Sequence, residues 1–157
     1  MTSALSRMQA LRRAVNLVNG TTAAGLLAAR IGRVRVRSGP GGLLLAGGWE
    51  LPLPHAAAFT VGNVVLYRSR VAREFDVVPA SSLLRHEARH SSQYAVLGPA
   101  FLPLYFAAAG FSKLRTGDPA SSNIFEILAG LSDGGYRPAP CAERSVAAAF
   151  DAEKSRK

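Results

Sequence analysis

The sequence predicts an α+β fold in which a helical N-terminal segment is followed by a small sheet and then by further helices. Residues 3–29 place apolar side chains at helical spacing, whereas Ile31 to Arg37 alternates between apolar and basic residues. Phe59 to Tyr67 is rich in Val and aromatic residues, which is typical of a strand. A chain of 157 residues, 48% of them apolar, is long enough for one hydrophobic core. We therefore expect a single domain over 1–157.

The N-terminal segment, residues 1–30, is predicted to be a basic amphipathic helix that breaks near Gly20. Its apolar stripe lies beside several arginines and consists of Ala4, Met8, Leu11 and Val15. Such a helix can rest on an anionic membrane surface, or it can pack its stripe on the domain. Polar residues interrupt the apolar run that follows, which argues against a secretory signal.

The predicted core, residues 31–140, holds the strands and the remaining helices. Leu43 to Ala46 is a short apolar run, and Leu51-Pro52-Leu53-Pro54 cannot be an inner strand because proline has no N–H. Phe75 to Pro79 is expected to be extended. A helix begins after Ser81 or Ser82 and stops at Gly98-Pro99. A second helix covers Asn123 to Leu131, and a tail occupies 141–157.

Ala95 to Phe111 contains no charged residue and reaches the lower length limit of a membrane span. Gly98, Pro99, Pro103 and Gly110 interrupt this stretch. A buried or interfacial helical hairpin therefore fits better than a straight span.

The charge is strongly basic, with 19 Lys and Arg against 10 Asp and Glu, a net +9. Such a surface attracts anionic lipid, nucleic acid or acidic substrates, although a compositional bias gives the same number. The sequence has no basic motif with interleaved aromatic residues, so nucleic acid is not the expected partner. Cys141 is the single cysteine, so neither an intrachain disulfide nor a cysteine-rich zinc cage can form. The cytoplasm or a membrane surface is favoured over secretion.

His86 and His90 carry the main chemical signal of the chain. Four positions apart on a helix, they lie one turn apart on the same face and can both bind one zinc ion. Glu87 follows the first histidine and can act as general base and acid towards a water at that site. The alternative is a polar helix face with two solvated histidines.

A catalytic zinc needs a third protein ligand, and Glu126 is the best candidate. It is the only carboxylate in the otherwise apolar stretch from Asn123 to Leu131. Buried carboxylates are usually paired or bound to metal. The alternative is an ordinary exposed helix glutamate.

His86-Glu87-x-x-His90 followed by Glu126-x-x-Ala129 resembles the gluzincin zinc metallopeptidases, most closely compact bacterial members of the M48 and M56 peptidase families and related HExxH domains. The resemblance covers roughly Phe59 to Tyr136. It implies a minimal zincin-like domain, in which a small antiparallel sheet precedes the active-site helix and a second helix carries the third ligand.

The resemblance also implies residue roles. His86, His90 and Glu126 would bind Zn²⁺, and Glu87 would be catalytic. The strand containing Val61, Gly62, Asn63 and Val64 would bind a peptide or protein substrate by edge pairing. Arg89 and Ser92 depart from the family pattern, although Arg89 would lie away from the face that His86 and His90 share.

Four further residues are candidates for supporting roles. Asp133 can accept a hydrogen bond from a ligand histidine, although the family places that acid closer to the glutamate. Tyr94, Tyr136 or His55 can stabilise an oxyanion, and each can equally be a packing or loop residue.

Three functions remain open at this stage. The first is a zinc-dependent peptide hydrolase. The second is a catalytically inactive metallopeptidase-like domain that keeps zinc and binds a partner. The third is a membrane-associated accessory protein in which the motif is incidental.

Overall fold

The computed structural model of the chain describes residues 5–76 and 81–137. The described part is a mixed α and β structure with a small four-stranded sheet. It divides into two compact units, Met1–Leu104 and Tyr105–Lys157. The predicted tail after Cys141 lies outside the described residues.

The first unit begins with two helices, α1 (Arg7–Val18) and α2 (Thr21–Ile31). Ser6 caps α1 by a reciprocal pair of hydrogen bonds with Gln9. Gly20, at φ 81°, separates the two helices, as the sequence predicted. Helix α2 ends at Ile31, so the alternating residues that follow do not form one strand from Ile31 to Arg37.

The sheet contains β1 (Val36–Ser38), β2 (Leu44–Gly47), β3 (Ala58–Val61) and β4 (Val64–Tyr67). The strand order is β1-β2-β4-β3. The outer pairs are antiparallel, but β2 and β4 are parallel, so the prediction of a purely antiparallel sheet is wrong. The long connection between β2 and β3 brings the chain back so that β4 runs in the same direction as β2.

Phe59 to Tyr67, which the sequence presents as one strand, is a β-hairpin. Val61 pairs with Val64, and Gly62 and Asn63 form the two-residue turn between them. Gly62 has φ 61°, a conformation that this turn requires. The dipeptide Gly-Asn between two apolar runs is itself a hairpin signal.

Both faces of β4 are covered, and therefore all four of its residues are buried. On one face Val64 and Leu66 pack with Ala29 of α2 and with Trp49. On the other face Val65 and Tyr67 pack with residues of two further helices, α3 (Ala72–Asp76) and α4 (Ser82–Leu97), among them Phe75 and Leu84.

Phe75 lies in α3, so the extended segment predicted from Phe75 to Pro79 is wrong at its start, and residues 77–80 lie outside the described part. Helix α4 has the predicted N-cap, because the Ser81 hydroxyl accepts a hydrogen bond from the Leu84 N–H at 3.2 Å. It ends at Gly98, at φ 57°. A short 3₁₀ turn, Gly98–Ala100, then leads into α5 (Phe101–Thr116).

The stretch Ser82–Thr116 is long and apolar enough to cross a membrane by length and composition alone, with a mean hydropathy of 1.5 in its most apolar window. The turn at Gly98–Ala100 interrupts it, in agreement with the predicted break.

The second unit holds most of α5 and a short helix, α6 (Ile124–Ala129). Between them, Asp118 accepts hydrogen bonds from the N–H groups of Ala120 and Ser121 and so fixes the loop. Asn123 caps α6 by accepting a hydrogen bond from the Phe125 N–H at 3.0 Å. The sequence predicted this helix correctly, but the prediction began one residue earlier and ended two residues later than the observed helix.

Candidate metal centre

Helix α4 presents two adjacent stripes of buried polar side chains. Glu87 and Ser91 lie on one stripe, and His86 and His90 lie on the other; all four are buried. This arrangement follows from the helical period, because residues four apart share a stripe whereas residues 86 and 87 are turned by about 100° from each other. Arg89 is exposed, as expected from its position on the helix.

The two histidines converge on one point. The Nε2 atoms of His86 and His90 are 3.0 Å apart, and the rings meet edge to face. The sequence predicted that these side chains share a face. The structure adds that both rings turn their Nε2 atoms towards each other. A single ion can lie between two imidazole nitrogens placed in this way.

Gln93 orients His90 and was not identified from the sequence. Its Oε1 lies 2.8 Å from His90 Nδ1. An amide oxygen only accepts hydrogen bonds, so Nδ1 carries the proton and the lone pair of His90 is on Nε2. This is the tautomer that a metal ligand needs, and such outer partners strengthen metal binding.

Glu87 is held by Thr60 of β3. The Thr60 hydroxyl donates to Glu87 Oε2 at 2.7 Å, and both side chains are buried. The sequence gave no signal for Thr60, because the contact joins residues 27 positions apart on different elements. Its effect is to fix the carboxylate beside the first histidine.

A buried polar network anchors α4 to α1 and to the hairpin turn. The Asn16 side-chain amide donates to Asn63 Oδ1 at 3.0 Å and to the Ser91 carbonyl at 2.9 Å. Asn63 in turn donates to Thr22 Oγ1 at 2.9 Å. In the sequence Asn16 and Thr22 only interrupt an apolar run. This interruption is the one sequence feature that could have indicated a buried polar network.

Glu126 is buried on α6, within an otherwise apolar helix, as the sequence predicted. The Tyr105 hydroxyl of α5 donates a hydrogen bond to Glu126 Oε1. Among the described residues, His86, His90 and Glu126 form a group that can hold a metal ion, with one ligand atom of each within 4.8 Å of the others.

The other candidates from the sequence lie outside this group. His55 is exposed in the loop before β3. Asp133 and Tyr136 belong to the turns after α6, where their N–H groups donate to Gly130 and Leu131. Tyr94 is buried with its ring against Phe101, and burial raises the pKa of its hydroxyl to about 12. Oxyanion or supporting roles for these four residues remain predictions.

The residues of the predicted substrate strand lie in two strands and the turn between them, so they differ in how accessible their main-chain groups are to a peptide. Asn63 is buried in the polar network, and Val64 lies in β4, which is paired on both sides. Edge pairing of a peptide is therefore not open at Val64, because its main-chain groups serve β2 and β3. Val61, in β3, is the member of the predicted set that lies in an edge strand of the sheet.

No protein-family model, no curated protein and no solved structure matches the chain. The resemblance to gluzincin metallopeptidases therefore depends on the motif and its spacing alone.

Proposed function

We propose that this chain binds a divalent metal ion through His86, His90 and Glu126 and hydrolyses peptide bonds, with Glu87 as the residue that transfers protons. The observation that carries the proposal is the buried histidine pair with its Nε2 atoms 3.0 Å apart. Zinc is the expected ion, because two histidines and one glutamate are a ligand set of catalytic zinc. The layout would then be a minimal zincin-like one, with the third ligand on α6.

The distance between the histidines fits such an ion. Two zinc–nitrogen bonds of about 2.0–2.1 Å reach at most about 4.2 Å from one nitrogen to the other. The observed 3.0 Å lies within this reach. The carboxylate of Glu126 adds a negatively charged oxygen ligand, which offsets the cost of burying a cation.

A divalent cation held there would supply Lewis acidity, which acidifies water and polarises a substrate carbonyl. Glu87 would accept the proton of the attacking water and deliver it to the leaving nitrogen. Thr60 would keep the carboxylate in one orientation during both steps, since its hydroxyl is bound to Oε2. Tyr105 would do the same for Glu126.

Strand β3 is the edge strand of the sheet that contacts α4, and we propose it as the place where a peptide pairs. The pair that closes a two-residue hairpin, Val61 with Val64, exchanges both main-chain hydrogen bonds. By alternation, Phe59 also faces β4, and the main-chain groups of Ala58 and Thr60 point to the other edge. A peptide adding a strand there would bind these groups.

The burial of the site favours a second candidate, a closed metal site without catalysis. His86, Glu87, His90 and Glu126 are all buried, whereas a catalytic zinc keeps one position open to water or substrate. In this case the ion would stabilise the fold, and the chain would be an inactive metallopeptidase-like domain.

Metal content tests the shared part of both candidates. The purified full chain is incubated with Zn²⁺, desalted, and analysed for zinc per chain. We expect about one equivalent in the wild type and in the control His55→Ala, because His55 is exposed and outside the group. His86→Ala and Glu126→Gln should lose most of the metal. A wild type without stoichiometric metal, or full retention in Glu126→Gln, would contradict the ligand set.

Cleavage of a mixed fluorogenic peptide library by the loaded protein separates the two candidates. We expect Glu87→Gln to keep zinc and to lose activity by about 10²–10⁴-fold, the usual contribution of an acid–base residue. The control is Glu50→Gln, an exposed carboxylate in the loop after β2. A fully loaded wild type that cleaves nothing supports the closed site, and an active Glu87→Gln variant excludes Glu87 as the proton-transfer residue.

A further inference from the structure

The two N-terminal helices expose their large apolar side chains and bury small or polar ones. On α1, Met8 is 73% exposed and Val18 is 89% exposed, and Leu11 lies between them on the same stripe. On α2, Leu27 and Ile31 are one turn apart and are 58% and 63% exposed. We call these five residues the outer apolar face. Met8 and Leu11 of the predicted stripe therefore do not pack on the domain, whereas Val15 is partly buried and Ala4 lies outside the described residues.

The inward faces explain this orientation. Helix α1 buries Asn16 in the polar network, and α2 buries Thr22, Gly25 and Ala29. A Cβ at Gly25 would lie 2.4 Å from the Val61 carbonyl oxygen, so α2 approaches the hairpin more closely than a larger residue allows. The helices cannot rotate to bury Leu27 or Ile31 without breaking these contacts. The exposure of the face is thus built into the fold.

The same part of the chain carries only positive charge. Residues 1–49 contain seven arginines and neither Asp nor Glu. Arg7 of α1 and Arg30 of α2 are exposed next to the outer apolar face. An apolar face with cations beside it is the composition of helices that lie in the interface of an anionic membrane.

We propose that the outer apolar face binds the surface of an anionic lipid bilayer, with α1 and α2 lying in the plane of the interface. A lipid surface satisfies both features at once, because acyl chains cover the apolar side chains and headgroups neutralise the arginines. A second copy of the chain would oppose the arginines beside this face with the same arginines, which disfavours self-association through it. Nucleic acid would neutralise the arginines but would leave the apolar stripe uncovered.

Vesicle sedimentation of the full chain tests the proposal. Phosphatidylcholine vesicles are compared with vesicles that contain phosphatidylglycerol as the anionic lipid, at low and at high salt. We expect strong binding to the anionic vesicles, a marked loss at high salt, and weak binding to the neutral ones. The double variant L27Q/I31Q should bind at least tenfold more weakly. Arg30→Gln should bind the anionic vesicles about fivefold more weakly.

Leu53→Gln is the matched control, because Leu53 is 65% exposed but lies in the loop before β3. It should bind like the wild type, and circular dichroism should show all variants folded, since the replaced side chains are exposed. Equal binding of L27Q/I31Q and wild type, or equal binding to neutral and anionic vesicles, would overturn the proposal. The proposal would also be overturned if the chain formed a dimer without lipid and L27Q/I31Q dissociated that dimer. Binding to a DNA duplex without binding to vesicles would overturn it as well.

Discussion

The hydrogen bond between Thr60 and Glu87 gives the sharpest test of the site that does not depend on knowing a substrate. Replacing Thr60 by Val keeps the size and the branching of the side chain and removes only the hydroxyl. The carboxylate of Glu87 then loses a donor at 2.7 Å in a buried environment. The Thr60→Val variant should therefore be destabilised, and its Glu87 should be less well positioned.

The magnitude follows from the charge and the burial of the acceptor. Hydrogen bonds to charged groups contribute about 1.5–3 kcal/mol, against about 0.5–1.5 kcal/mol for neutral pairs. We expect Thr60→Val to lower the free energy of unfolding by about 2 kcal/mol in the wild-type background. In the Glu87→Gln background the acceptor is neutral, and the same replacement should cost about 1 kcal/mol. The coupling between the two positions is then on the order of 1 kcal/mol.

Urea unfolding of the four proteins in a double-mutant cycle measures this coupling. A chelator is present throughout, so that differences in metal content do not enter the result. Thr60→Ser is the control that keeps the hydroxyl and removes a methyl group, and it should retain most of the coupling. The reasoning is refuted if Thr60→Val costs the same in both backgrounds, or if Thr60→Ser and Thr60→Val are equally destabilised without coupling.

Three more predictions concern the neighbours of the site. Gln93→Leu removes the partner of His90 Nδ1 and should weaken zinc binding by about 10–100-fold in a chelator competition, with little change in stability. Asn16→Ala breaks the buried network and should cost about 2–4 kcal/mol in urea unfolding. Tyr94→Phe removes a buried hydroxyl that makes no hydrogen bond within the described part of the chain, and should stabilise the protein by roughly 1 kcal/mol at neutral pH.

Tyr94 also predicts the response to alkali. Burial raises the pKa of Tyr94 to about 12, above the ordinary value of about 10, so the folded state holds the proton more tightly than the unfolded state. Titration of Tyr94 therefore leaves the free energy of unfolding unchanged below about pH 10 and lowers it as the pH rises from about 10 to 12. Unfolding midpoints across this range should fall less steeply in Tyr94→Phe than in the wild type.

Each of these predictions has a control and a contradicting result. Leu17→Ala, an exposed replacement on α1, is the control for Asn16→Ala and should stay within about 0.5 kcal/mol of the wild type. If Asn16→Ala lowered the free energy of unfolding no more than Leu17→Ala does, the buried network would not contribute to stability. Unchanged zinc affinity in Gln93→Leu would mean that the tautomer of His90 is fixed by other means. A destabilised Tyr94→Phe with unchanged alkaline behaviour would contradict the proposed cost of the buried hydroxyl.

The chemistry of the site was available from the sequence because it is carried by local spacing. His86 and His90 are one helical turn apart whatever the rest of the chain does, and the cap at Ser81 marks where their helix begins. Glu126 stood out in the same way, as a lone carboxylate on an apolar helix. Thr60, Gln93 and Tyr105 were not predicted. Gln93 is local but carries no distinctive motif, whereas Thr60 and Tyr105 act through contacts between elements.

The sequence by itself determined the α+β class, the helices around Gly20, the helix of the two histidines and the helix of Glu126, because periodicity and capping are properties of neighbouring residues. Only the tertiary structure decided the parallel pairing of β2 with β4, the division of Phe59 to Tyr67 into a hairpin, and the outward orientation of Leu27 and Ile31. The physical reason is that periodicity shows which side chains share a face. Which face becomes covered depends on close packing with distant residues, as at Gly25 and Asn16.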